Sequence, residues 1–135
     1  MAKELIWDPV RKKRIVLTPE EGVRQWLIKE LVEIHGYPIH MLSCEYSITI
    51  NTVNYRGDLV VFGNGLNPLL IAECKAPSVK ISMSTFEQVL RYNLALKANY
   101  LMVTNGSDTY LAQITSPEGD FSFIPNIPKY NELSK

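Results

Sequence analysis

Two acidic residues and a lysine, set at the ends of apolar runs, are the residues of this chain best placed to do chemistry. Arg56-Gly57-Asp58-Leu59-Val60-Val61-Phe62 and Leu69-Leu70-Ile71-Ala72-Glu73-Cys74-Lys75 read as two strands separated by a Gly/Asn/Pro turn, Gly63 to Pro68. Side chains alternate along a strand, so Glu73 and Lys75 share one face while Cys74 points to the other. Paired as a hairpin, the strands bring Asp58 near Glu73. Two close carboxylates repel unless a cation lies between them, and Mg²⁺ takes such hard oxygen donors with waters completing its shell. A site of that kind activates water beside a phosphate.

These residues need a scaffold, and the punctuation of the chain outlines one. Thr18 can cap a helix with Pro19 in its first turn; Val23, Trp26, Leu27, Leu31 and Ile34 form an apolar stripe, and Gly36 and Pro38 end it. Cys44 to Val53, with Tyr46, Ile48 and Ile50 alternating with polar residues, reads as a half-buried strand. After the two strands already described, Ser84 and Glu87 suggest a capping box for a second helix whose core side carries Phe86, Val89, Leu90 and Leu94. Gln88 and Tyr92 on that helix share a face. Strands are expected at Tyr100–Thr104 and Thr109–Ile114, with a turn at Asn105–Asp108 between them, and a short one at Phe121–Ile124. The sum is one α/β domain over residues 1–135: an N-terminal extension over 1–17, an αβββαβ core with a central mixed sheet flanked by helices, and an extended tail over 125–135 that Pro125 and Pro128 favour.

Composition narrows the classes. The chain has 135 residues, 46% of them hydrophobic, which suffices for a single core. The start shows no long apolar stretch and no later run approaches a membrane span, so a soluble cytoplasmic protein is expected. Cys44 and Cys74 have no metal-ligand spacing with His35 or His40, and reduced, buried thiols are the default. Fourteen Lys and Arg balance fourteen Asp and Glu, whereas proteins that grip DNA through phosphates usually carry a basic excess. The one basic run, Arg11-Lys12-Lys13-Arg14, reads either as a phosphate contact or as a solvated turn.

Asp58 followed by Glu73-x-Lys75 resembles the PD-(D/E)xK nuclease superfamily. Gln88-Val89-Leu90-Arg91-Tyr92 resembles the Gln-x-x-x-Tyr element of its RecB-like and type I restriction branch, and Thr18 to Gln25 the first helix of that branch. From about Asp8 to about Ile114 the chain is similar to the N-terminal nuclease domain of type I restriction enzyme R subunits and their small stand-alone relatives. The resemblance implies a restriction-endonuclease-like fold and a Mg²⁺-dependent DNA endonuclease, with Mn²⁺ as substitute, that leaves a 5′-phosphate. Asp58, Glu73 and the Cys74 backbone carbonyl would ligate the metal, Lys75 would serve the attacking water or the phosphate, and Gln88 and Tyr92 would stand beside the catalytic strand. Glu21 is either a further acid of the metal shell or, with Thr18, a capping box. Arg24 reads as a partner for an acid or a phosphate, with a surface ion pair favoured.

The implied partner is DNA. A single site cuts one strand, so double-strand breaks require a homodimer or two successive nicks. The chain has no Gly-rich phosphate loop followed by Lys-Ser or Lys-Thr, so any motor would be a partner. The alternative reading is a nuclease-fold nucleic-acid-binding module, inactive without a motor or methyltransferase partner.

Overall fold

A computed structural model describes residues 3–133. Strands β1 (Leu5–Asp8) and β2 (Lys13–Val16) form an antiparallel hairpin ahead of helix α1 (Pro19–Lys29). Then come β3 (Leu42–Ile50), β4 (Val53–Phe62), β5 (Pro68–Cys74), helix α2 (Met83–Leu96), β6 (Tyr100–Thr104), β7 (Thr109–Ile114) and β8 (Phe121–Phe123). Among the described residues these last six strands form one mixed sheet in chain order, with β5 and β6 parallel and every other neighbouring pair antiparallel. A parallel pair needs a long crossover, and α2 supplies it. The expected αβββαβ order is therefore present from α1 to β6.

The helices lie on opposite faces of the sheet. Val23, Leu27 and Leu31 pack with Leu59, Leu70, Ala72 and Met102 on one side, and Phe86 and Val89 with Val60, Ile71, Leu101 and Val103 on the other. Each central strand thus contributes to two cores, which is why β5 and β6 read as continuous apolar runs instead of alternating ones. No helix among the described residues is long and apolar enough to cross a membrane.

Several local expectations are corrected. The stripe of α1 is rotated: Ile28 is buried, whereas Trp26 is 39% and Ile34 63% exposed. Beyond Lys29 the backbone widens into a π-type turn over Glu30–Ile34, closed by the His35 N–H on the Glu30 carbonyl, and the extra residue carries Ile34 out of register. The strand expected over Cys44–Val53 ends at Ile50, because Asn51 and Thr52 both take positive φ, 50° and 67°, and turn the chain into β4. Helix α2 is capped by Ser82, which accepts from the Thr85 N–H, and not by Ser84. Ile81 and Phe86, both in the α2-side core, flank that cap as a hydrophobic staple and set its position. The side chains of Ile48, Ile50 and Leu94 lie outside the described residues.

The tail expected over 125–135 is described to Leu133: it closes in a 3₁₀ turn at Tyr130–Glu132 and buries Leu133; the Pro128 carbonyl accepts from the Tyr37 hydroxyl at 2.9 Å, and Tyr130 donates to the Phe62 carbonyl at 2.8 Å.

Candidate active site

The position of Asp58 follows from an irregularity in the β3–β4 ribbon. Pairing runs from Leu42↔Val61 to Cys44↔Leu59, skips one position, and resumes from Tyr46↔Gly57 to Ile50↔Val53. The skipped pair is Glu45 and Asp58. Glu45 has a φ of +56°, the left-handed region that costs a residue with a Cβ about 1–2 kcal/mol. There the strand switches faces: Cys44 packs on the α1-side core, Tyr46 on the α2-side core. Released from the ladder, Asp58 turns its buried carboxylate toward the end of β5, where Oδ2 accepts the Cys74 N–H at 2.9 Å.

That contact brings Asp58 against Glu73, as the hairpin pairing predicts. The last β4–β5 pair is Leu59↔Ala72, so Asp58 and Glu73 are the next residues on their strands. Burial, and then the adjacent Asp58 carboxylate, push the Glu73 carboxyl up to about 7, against the opposing pull of Lys75. Lys75 Nζ stands 3.6 Å from Glu73 Oε1, and its backbone N–H is fixed by the Thr104 carbonyl of β6 at 2.9 Å. Asp58, Glu73 and Lys75 thus converge where β5 ends.

Glu21 and Arg24 belong to a second charged group under the first helix. Thr18 caps α1 by accepting the Glu21 N–H at 3.1 Å. The Glu21 carboxylate stands 2.8 Å from Arg11 Nη2 without hydrogen-bond alignment, and accepts from Gln25 Nε2 at 3.1 Å. Arg11 also pairs with the fully buried Asp8 and lies 3.7 Å from Glu45; Arg24 lies 3.7 Å from Glu21 and 3.5 Å from Glu45. Arg24 is therefore a buried partner and not a surface pair, and Arg11 is an internal tie while Lys12, Lys13 and Arg14 stay exposed. Burial alone would raise the Asp8 carboxyl, but Arg11 and the Val10 N–H hold it below the usual range. Burial opposes protonation of Arg24, and Glu21 and then Asp58 more than restore it, so Arg24 links the two groups electrostatically. Among the described residues no three His, Cys, Asp or Glu side chains gather as a metal cage.

Gln88 and Tyr92 stand together on α2, the Gln88 amide donating to the Tyr92 hydroxyl at 3.3 Å, and the Tyr92 ring meets Tyr55 of β4 edge to face at 6.1 Å. Cys44 is half-buried, not buried; burial raises both thiols, Cys44 to about 11. Asp8 and Glu45 escaped the sequence reading. An Asx turn at Asp8-Pro9-Val10, in which Asp8 Oδ1 accepts the Val10 N–H at 2.8 Å, was the available signal for the first; nothing in the sequence marks the left-handed turn at Glu45.

The comparisons with known proteins follow this geometry. The family described as the type I restriction enzyme R protein N terminus (HSDR_N) matches residues 19–128. The chain belongs to that family. Its fold is similar to a structure assigned, as a fragment, to an HsdR subunit of a type I restriction enzyme from Vibrio vulnificus YJ016, with a TM-score of 0.64 and 17% identity. The match covers 87% of this chain but only 25% of that one, so this R-protein N-terminal domain spans about a quarter of the length of the fragment it resembles. No curated protein matches the sequence.

Proposed function

We propose that this R-protein N-terminal domain is a metal-dependent DNA endonuclease whose active site is Asp58, Glu73 and Lys75. The observation that carries the reading is the juxtaposition of Asp58 and Glu73: burial, and then the adjacent Asp58 carboxylate, hold the Glu73 carboxyl raised although Lys75 Nζ stands 3.6 Å away. Such a pair gains from an added cation. The donor set fits Mg²⁺ or Mn²⁺: hard oxygens from two carboxylates, with the Cys74 carbonyl available on the same side of β5 as the N–H that Asp58 binds. When bound, that ion would acidify water and polarise the phosphate.

The chain's own residues account for the rest. Asp58 is held by the Cys74 amide and Glu73 by its strand, so the two carboxylates keep their relative position. Lys75 is placed to orient the attacking water and to offset charge building on the phosphate. Water oxygen bonds to phosphorus, the P–O3′ bond breaks, and the products are a 5′-phosphate and a 3′-hydroxyl. Gln88 and Tyr92, paired on α2, would wall that side of the site. Glu21, engaged with Arg11 and Gln25, acts on the site through Arg24.

DNA is the proposed partner, and the domain is proposed to work inside a cytoplasmic restriction assembly. The zero formal net charge favours delivery of DNA by a motor or methyltransferase partner over tight binding by the domain alone. Incubation with supercoiled plasmid in Mg²⁺ and in Mn²⁺ tests the proposal. Metal-dependent nicking that disappears in Asp58→Ala and Lys75→Ala is expected; nicking that persists in both would place any nuclease elsewhere.

A further inference from the structure

We propose that the free end of the β3–β4 ribbon is an arm that enters a groove of duplex DNA beside the cleavage site, an inference that rests on the nuclease reading above. β4 pairs with β5 only from Leu59 onward, whereas its ladder with β3 continues for the five pairs from Tyr46↔Gly57 to Ile50↔Val53. Among the described residues no third strand joins this stretch. Five pairs project roughly 14 Å at the rise of an antiparallel strand, and a two-stranded ribbon fits the major groove, which is about 12 Å wide.

The ribbon is two-faced. Ser47 pairs with Arg56 and Thr49 with Asn54, and because opposed residues share a face, these four form one patch. All four are exposed. Each can bond a base edge: arginine to guanine, asparagine to adenine, and the hydroxyls to either. On the other face Tyr46 meets Phe62 at 5.1 Å and Tyr55 meets Tyr92 at 6.1 Å between ring centres. The Tyr55 contact ties the middle of the arm to the helix that carries Gln88 and Tyr92, and the Thr49–Asn54 end lies beyond it.

The charge of the segment is compatible with that role. The chain carries 14 acids, yet none lies between Tyr46 and Gly57, while the base of the ribbon holds Glu45 and Asp58. An arm that meets phosphates must lack carboxylates, and its polar patch starts at Arg56, two residues from Asp58. Gly57 lets the ribbon leave the sheet closely, since a Cβ there would stand 3.1 Å from Ile71 Cγ2. A chain balanced in charge overall thus presents DNA with a neutral-to-basic finger.

Fluorescence anisotropy of a labelled duplex in Ca²⁺ buffer, over a range of salt, tests the arm. The double variant Asn54→Ala, Arg56→Ala should bind at least about tenfold more weakly, with a salt slope shallower by about 1, while its melting temperature and its Mn²⁺ binding stay those of the parent. Thr49→Arg should tighten binding and steepen the slope, which keeps the idea testable if the double variant is poorly folded. Equal affinity in parent and both variants would overturn the arm and leave the nuclease reading standing. Loss of binding in the double variant of a chain that never nicks plasmid would support the arm and sink the nuclease. A parent that binds no duplex even at low salt would overturn the arm.

Discussion

Two charged groups sit within one small sheet domain, and they are balanced differently. Around Arg11 and Arg24, the acids Asp8, Glu21 and Glu45 meet two guanidiniums, and the Asp8 carboxyl is held below its usual range. Around Lys75, two acids face one ammonium, and the Glu73 carboxyl is raised to about 7. In the first group every acid lies in an ion pair with a guanidinium, and the group ties the β1–β2 hairpin and α1 to β3. In the second, Lys75 pairs with Glu73 alone, and the two carboxylates lie against each other. A carboxyl raised by burial and by a like-charged neighbour where a strand ends is a candidate ligand site, whereas paired, buried charges mark a joint.

The comparison breaks most visibly through activity. Asp58→Ala should cut metal-dependent nicking by about 10²–10³-fold or more while leaving the fold intact, as circular dichroism would check. Arg11→Ala should do the reverse: Asp8, 0% exposed, loses its guanidinium, and denaturant unfolding should show a loss of about 3 kcal/mol, part of it recovered by adding Asp8→Asn. A stability loss confined to Asp58→Ala would exchange the roles assigned to the two groups.

Acidity sharpens the contrast. A carboxyl raised from its ordinary 4.5 to about 7 binds its proton more tightly when folded, so its contribution to stability is full below about pH 4.5 and is lost as pH climbs through 7. Glu73→Gln cannot ionise. It should therefore be more stable than the parent at pH 8 by roughly 1–3 kcal/mol, with the gain vanishing toward pH 4.5 in thermal melts. Asp8→Asn should show the opposite sign, losing stability at neutral pH, because its carboxyl is lowered in the fold. The smallest effect belongs to Tyr92→Phe, which removes one exposed hydrogen bond from Gln88 and should change stability by less than about 0.5 kcal/mol.

What the sequence disclosed depended on whether apolar pattern or backbone detail decided the outcome. Tyr100–Thr104 and Thr109–Ile114 form the strands that their apolar content and flanking turns predict, and the hairpin that sets Asp58 against Glu73 follows from pairing geometry. Residues governed by a single dihedral were hidden. The left-handed Glu45 frees Asp58 from the ladder, and no residue type announces that; the Asn51-Thr52 turn lay inside an unbroken alternation. Ser82 and Ser84 offer the same hydroxyl, and burial of Ile81 beside Phe86 decided between them. Arg11 sits in a run of four basic residues, and only the Asx turn at Asp8 folds it inward.

Titration calorimetry with Mn²⁺ on the parent chain, Asp58→Ala and Arg11→Ala tests the central claim that the Asp58–Glu73 group is the cation site. One Mn²⁺ per chain is expected for the parent and for folded Arg11→Ala, and none for Asp58→Ala. Equal Mn²⁺ binding by the parent and Asp58→Ala would contradict the account, because the crowded carboxylates would then have no bearing on where a cation settles.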